Sequence, residues 1–104
     1  MRCEWDAGKN LRNRKKHGGV SFELASLVFD DDHCLIGPDQ IDASTGEQRW
    51  HALGSVAIEA GYAAVLFVVH SYRENRDGEE IIRIISARPA EKHEVRRYTK
   101  QTLE

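Results

Sequence analysis

The segment "YAAVLFVVHSYRENRDGEEIIRIISAR", Tyr62 to Arg88, decides the fold. Its first part is a near-continuous apolar run, the pattern of a central strand covered on both faces. Asp77-Gly78 is a turn dipeptide that reverses the chain, so "IIRIISAR" returns as a second central strand beside the first. Side chains alternate along a strand, which puts Ile82, Ile84 and Ser86 on one face and Ile81, Arg83, Ile85 and Ala87 on the other. Arg83 thereby stands on an otherwise apolar face. If that face packs under a helix, a guanidinium there needs a carboxylate or a bound anion, because an unpaired buried charge is costly.

Upstream of this hairpin, "RCEWD" alternates and reads as a short first strand. Asp6 can cap a helix through "AGKNLRNRKKH", which Gly18-Gly19 would end in the left-handed conformation. Ser21 is the expected cap of a second helix whose stripe is Phe22, Ala25, Val28 and Phe29. "HCLIGPD" and "RWHALGSV", separated by "ASTGEQ" with its Thr-Gly turn, form a further hairpin. Pro89, favoured at a first helical position, opens the last helix, Ala90 to about Gln101. The order is β-α-α-β-β-β-β-α: an α+β fold with a mainly antiparallel sheet of about four or five strands, two N-terminal helices and a C-terminal helix. With the helices gathered on one face, the other sheet face stays open.

One domain, residues 1–104, accounts for this length, and 40% hydrophobic with 31% charged residues excludes a disordered chain. The longest apolar run, Tyr62 to His70, is too short for a membrane span, and "MRCEWDAGKN" has no apolar signal core, so a cytoplasmic location is expected. Cys3 and Cys34 form no C-x-x-C pair and read as reduced, partly buried thiols. "DDDH", Asp30 to His33, has metal-like residue types, but consecutive side chains diverge, so a solvated helix end is the better reading and no metal site or cofactor is expected.

The formal net charge of -2 conceals a segregation. Residues 18–48 hold seven acids, Glu23, Asp30, Asp31, Asp32, Asp39, Asp42 and Glu47, and no Lys or Arg, while the bases crowd the two ends. Such asymmetry points to a charged partner. The Asp77-Gly78 hairpin sets Arg73 opposite the Ile81 to Arg83 region, so two guanidiniums can converge, an arrangement suited to phosphate. The alternative is neutralisation by Glu74, Glu79 or Glu80 at the surface. Arg88, Lys92, Arg96 and Lys100 recur every four residues as a basic stripe that ends near Tyr98, and Lys9, Arg12 and Lys16 make a second stripe on the first helix. A groove between two basic helices and an open sheet would track a single-stranded nucleic acid backbone.

Several blocks bear a family resemblance. "EWDAGKNLRNRKKHGGVSFELASLVFDD", with Trp-Asp, N-x-x-K-H-G and V-S-F-E-x-A, resembles the opening of the BrnT family of type II toxins, and "GEQRWHALG", "VVHSYR" and "IRIISARPAEKHEVRRY" resemble its later blocks in the same order, from about Glu4 to Tyr98. The second glycine of "KHGGVSF", and His70-Ser71-Tyr72 where Val-Tyr-Thr is more usual, depart from the pattern without removing a cation. The resemblance implies a RelE-like fold and a ribonuclease that cuts messenger RNA. It also implies a ribbon-helix-helix antitoxin of the BrnA kind, which reaches operator DNA as part of the complex. Its polar positions fall on Lys9, Asn13, His17, Arg49, Arg73, Arg83, Ser86, Arg88, Glu94 and Tyr98. In that frame Arg73, Arg83 and Arg88 are the expected electrostatic clamp, with His70, Tyr98 or Glu94 moving protons. Lys9, Arg12, Lys16, His17, Arg49, Lys92 and Arg96 are the expected RNA contacts. The rival expectation is a module of the same fold that binds RNA or antitoxin without turnover.

Overall fold

The computed structural model describes residues 2–16, 18–59 and 61–102. Five strands form one sheet: β1 (Arg2–Glu4), β2 (Leu35–Ile41), β3 (Gln48–Glu59), β4 (Tyr62–Glu74) and β5 (Glu80–Pro89), in the spatial order β1-β5-β4-β3-β2. Strands β2 to β5 are an antiparallel meander, and β4 is the middle strand of the five-stranded sheet, as its unbroken apolar run requires. The sheet is mixed, because β1 pairs with β5 in parallel, Arg2 to Glu4 against Ile81 to Arg83.

Helix α1 (Ala7–Lys16) starts and stops where its local chemistry dictates. The Asp6 carboxylate accepts the Lys9 N–H at 2.9 Å, and past the helix Gly18 and Gly19 have φ of 65° and 80°, with Gly19 N–H donating to Arg14 O. The second helix is shorter than its hydrophobic stripe suggests. Helix α2 (Phe22–Ser26) gives way to a 3₁₀ turn, Leu27–Asp30. Phe22, Ala25 and Val28 are spaced by three, and the tighter turn keeps all three fully buried on the sheet.

Val28 meets the sheet at Gly54. A Cβ placed on Gly54 would lie 2.5 Å from Val28 Cγ1 and 3.0 Å from the Val28 carbonyl oxygen, so only glycine admits the 3₁₀ turn at this distance. Gly54→Ala is expected to destabilise the fold by about 1–3 kcal/mol, read as a lower urea midpoint. An unchanged midpoint would show that the turn retreats at no cost.

Strict alternation fails on β5. Val69 pairs with Ser86 but His70 pairs with Ile84, so Ile85 is an extra residue and the strand bulges there. Ile82, Ile84 and Ala87 consequently all join the core beneath the helices, while Arg83 projects from the opposite side and is exposed. This corrects the reading that grouped Ala87 with Arg83, and the face that carries the arginine is not the one packed beneath α1 and α2.

Pro89 also differs from expectation. It closes β5 opposite Leu66, and Ala90 N–H continues the ladder to Val65 O, so α3 begins later, at Lys92, and runs to Thr102. Helix α3 lies across the face opposite α1 and α2: Arg97 reaches His51 at 3.2 Å, and Tyr98 and Leu53 are buried. The expected open face is thus half covered. What stays open is the part of that face nearer α1.

Candidate nucleic-acid interface

The open part of the sheet is walled by α1. Asn13, buried at 6% exposure, fixes the helix there: its side-chain amide donates to Ala87 O at 2.7 Å and Val20 O at 3.1 Å and accepts Ala87 N–H at 3.2 Å. With Asn13 turned to the sheet, Lys9, Arg12 and Lys16 on its flank line a cavity of about 320 Å³ together with Arg49, Ile85 and Ser86. Four cations and no carboxylate line it. Arg49 reaches in from β3 with its terminal nitrogen held by Asp42 at 2.9 Å, and its Nε is buried without a hydrogen-bond partner among the described residues. His17 lies outside the described residues.

The expected clamp is dispersed. Arg73 is neutralised by both oxygens of Glu4, one at 2.7 Å, and this bridge spans buried Ile81. The hydrogen bond from Arg73 holds the Glu4 carboxyl below its ordinary pKa. Neither Glu74, Glu79 nor Glu80 takes that part, since the parallel pairing of β1 delivers an acid from the other end of the chain. Arg83 makes no ion pair within 4 Å among the described residues and borders a small cavity with Glu4, Trp5 and Asp6. Arg88 sits over the Phe67 ring, its guanidinium carbon 4.2 Å from the ring centre, and clasps Glu94 at 2.7 and 3.0 Å.

The expected proton carriers serve the fold. Burial pushes the Glu94 pKa up, but the Arg88 guanidinium and the Glu91 N–H outweigh it and hold the carboxylate ionised; the Glu91 contact is the capping bond of α3. Tyr98 donates its hydroxyl to Asp31, and burial together with that bond pushes its pKa up to about 12. Asp31 also accepts Ser55 N–H and His33 N–H, so it ties the 3₁₀ turn to β3 and α3. These bonds overcome the opposing effect of burial and lower its pKa. The reading of "DDDH" as a merely solvated end missed this: nothing in its spacing marks a partner 67 positions away. Lys92, Arg96 and Lys100 are exposed on the side of α3 away from Glu94 and Tyr98, and Arg88, on a strand, is not part of their stripe.

The family model of BrnT, the ribonuclease toxin of type II toxin-antitoxin systems, matches residues 5–94. The chain belongs to the BrnT family. No individually curated protein matches its sequence. Membership makes it a toxin component with ribonuclease activity as the family's chemistry and an antitoxin as its partner. No helix among the described residues is long and apolar enough to cross a membrane.

In this BrnT-family toxin His70 lies on the helix-facing side of β4, remote in direction from the cationic cavity. It is fully buried between Phe29 and Tyr72, with Nε2 3.1 Å from the Tyr72 hydroxyl. Burial pushes its pKa down. The unfolded chain therefore binds the proton more readily. The contribution of neutral His70 to stability is intact above its unfolded pKa of about 6.5 and is lost as pH falls through the lower folded value. Urea midpoints are expected to fall between pH 7 and pH 5, and to fall less in His70→Phe, which keeps the ring contacts. An equal fall in both chains would assign the loss to the paired carboxylates instead.

Proposed function

We propose that this chain is an endoribonuclease that cuts single-stranded messenger RNA, so arresting translation, and that its chemistry requires no metal ion. The carrying observation is the cavity between α1 and the open sheet, where Lys9, Arg12, Lys16 and Arg49 converge in a lining that holds no carboxylate. Cations so placed track a phosphodiester backbone. RNA brings its own nucleophile in the 2′-hydroxyl, so the protein's task is to align the phosphate and stabilise the charge that grows on it. Arg49, which lines the cavity from β3 with one terminal nitrogen held by Asp42, is the side chain assigned to the second task. Arg83 stands at the adjoining edge of the cleft and makes no ion pair among the described residues. His70, Glu94 and Tyr98 are engaged elsewhere, so this reading rests the rate enhancement on electrostatic positioning.

The partner in this proposal is a ribbon-helix-helix antitoxin of the BrnA kind, which silences the toxin and carries the complex to operator DNA. The test uses the chain purified with its antitoxin and then freed from it. Single-stranded RNA is incubated with the free toxin in chelator. Discrete cut ends that vanish when the antitoxin is restored support the proposal. Salt-sensitive binding without cut ends supports the rival, a non-catalytic module.

A further inference from the structure

Beside the cationic cleft lies a smaller cavity of about 220 Å³ lined by Glu4, Trp5, Asp6 and Arg83. The two adjoin, since Arg83 and Ile85 are two residues apart on β5 and Asp6 caps the helix that carries Lys9. Their chemistry differs. The cleft holds cations without a carboxylate, whereas the smaller cavity joins two carboxylates and one guanidinium, with Trp5 at its border. Carboxylates repel phosphate, so next to a phosphate track this composition suits the other part of a nucleotide, its base.

The lining residues are not equivalent. Glu4 engages Arg73 with both oxygens. Asp6 accepts backbone N–H from the start of α1, with Lys9 at 2.9 Å, but a carboxylate offers about four acceptor sites and is not exhausted by a cap. Arg83 has no ion pair among the described residues. We infer that this cavity is a base-recognition pocket that selects guanine, with Asp6 facing the N1–H and N2–H₂ donors and Arg83 facing O6, while Trp5, whose ring packs on Phe22, borders the pocket and reports its occupancy. Guanine alone presents two adjacent donors to a carboxylate. Adenine and cytosine put an acceptor beside their amino group, and uracil flanks its one N–H with two carbonyls. The inference rests on the RNA-cleaving reading for its biological use, but not for its test.

The test titrates the whole chain with GMP, AMP, CMP and UMP, following tryptophan fluorescence. Trp5→Phe separates the Trp5 signal from that of Trp50. Asp6→Asn keeps the helix cap, since asparagine caps as well as aspartate, but turns one acceptor into a donor. GMP is expected to bind at least about tenfold more tightly than the other three, through Trp5, and to lose that advantage in Asp6→Asn. Equal binding of all four, no binding, or an unchanged GMP preference in Asp6→Asn overturns the inference. Cut ends on a random-sequence RNA form a second arm, in which guanine is enriched at one position by the wild-type chain and not by Asp6→Asn. Uncut RNA with GMP selectivity intact refutes the ribonuclease reading and leaves the pocket standing. Cut RNA without a base preference refutes the pocket alone.

Discussion

Arg49→Ala is expected to lower the rate of RNA cleavage about a hundredfold or more, the typical cost of losing one preorganised donor to a developing charge. Arg49 contributes little to the fold that would confound the result. Its one ion pair among the described residues is with Asp42 in the β2–β3 turn, and Asp42 is independently satisfied by Ser44, through the backbone N–H at 2.9 Å and the hydroxyl at 2.7 Å. Thermal stability should therefore change little, and single-turnover rates can be compared directly. Arg49→Lys should restore part of the rate, because it keeps the charge but not the fork that grips two phosphate oxygens. Arg76→Ala, in the exposed β4–β5 turn, is the control for a general loss of positive charge. Were Arg49→Ala to cut at the wild-type rate with its fold intact, the electrostatic role of the cleft would be refuted. A rise in KM with kcat unchanged would place Arg49 in ground-state binding instead.

The parts of the fold that were legible in the sequence are those governed by near neighbours. The β4–β5 hairpin follows from an apolar run, Asp77-Gly78 and a second apolar run, and Gly78 does adopt φ of 78° with Arg73 opposite Ile81. The α1 boundaries follow from Asp6 and the two glycines. What escaped is set by residues far apart in the chain. The parallel pairing of β1 brings Glu4 to Arg73 across 69 positions, and no local pattern signals which strand edge a three-residue strand will join. The bulge at Ile85 is invisible to a period-two reading because it is an interruption of that period, and it alone decides that Ala87 rather than Ser86 enters the core. The site shows the same division. Lys9, Arg12 and Lys16 are legible as a helical stripe, but Arg49, 33 or more positions from each of them in sequence, joins them only because β3 and β5 flank β4. Arg88, Glu94 and Tyr98 have the residue types of catalysis and the contacts of architecture. Chemistry-bearing side chains near a chain end are ambiguous until their partners are known.

Asn13→Ala is expected to cause the largest loss of stability, about 3 kcal/mol or more, because it leaves buried backbone groups without partners rather than merely deleting a contact. β1 covers the edge of β5 only as far as Arg83, so the backbone beyond it has no neighbouring strand on that side. The Asn13 amide stands in for that strand at Ala87, meeting both its N–H and its C=O, and a second bond to Val20 O pins the loop after α1. Asparagine is the smallest neutral side chain that offers donor and acceptor on separate atoms. Asn13→Asp, of equal size, should fail nearly as badly, since a carboxylate faces two carbonyl oxygens it cannot bond. For a domain of this length the loss corresponds to a fall in melting temperature of roughly 10–20 °C. Hydrogen exchange gives the sharper measurement: the Ala87 amide should lose protection in Asn13→Ala even well below the transition. If Ala87 stayed protected, its edge would have to be sealed by something other than this side chain. If the edge does open, α1 loses its anchor, and Lys9, Arg12 and Lys16 are no longer held opposite Arg49. Cleavage per folded molecule should then fall although no cation has been removed.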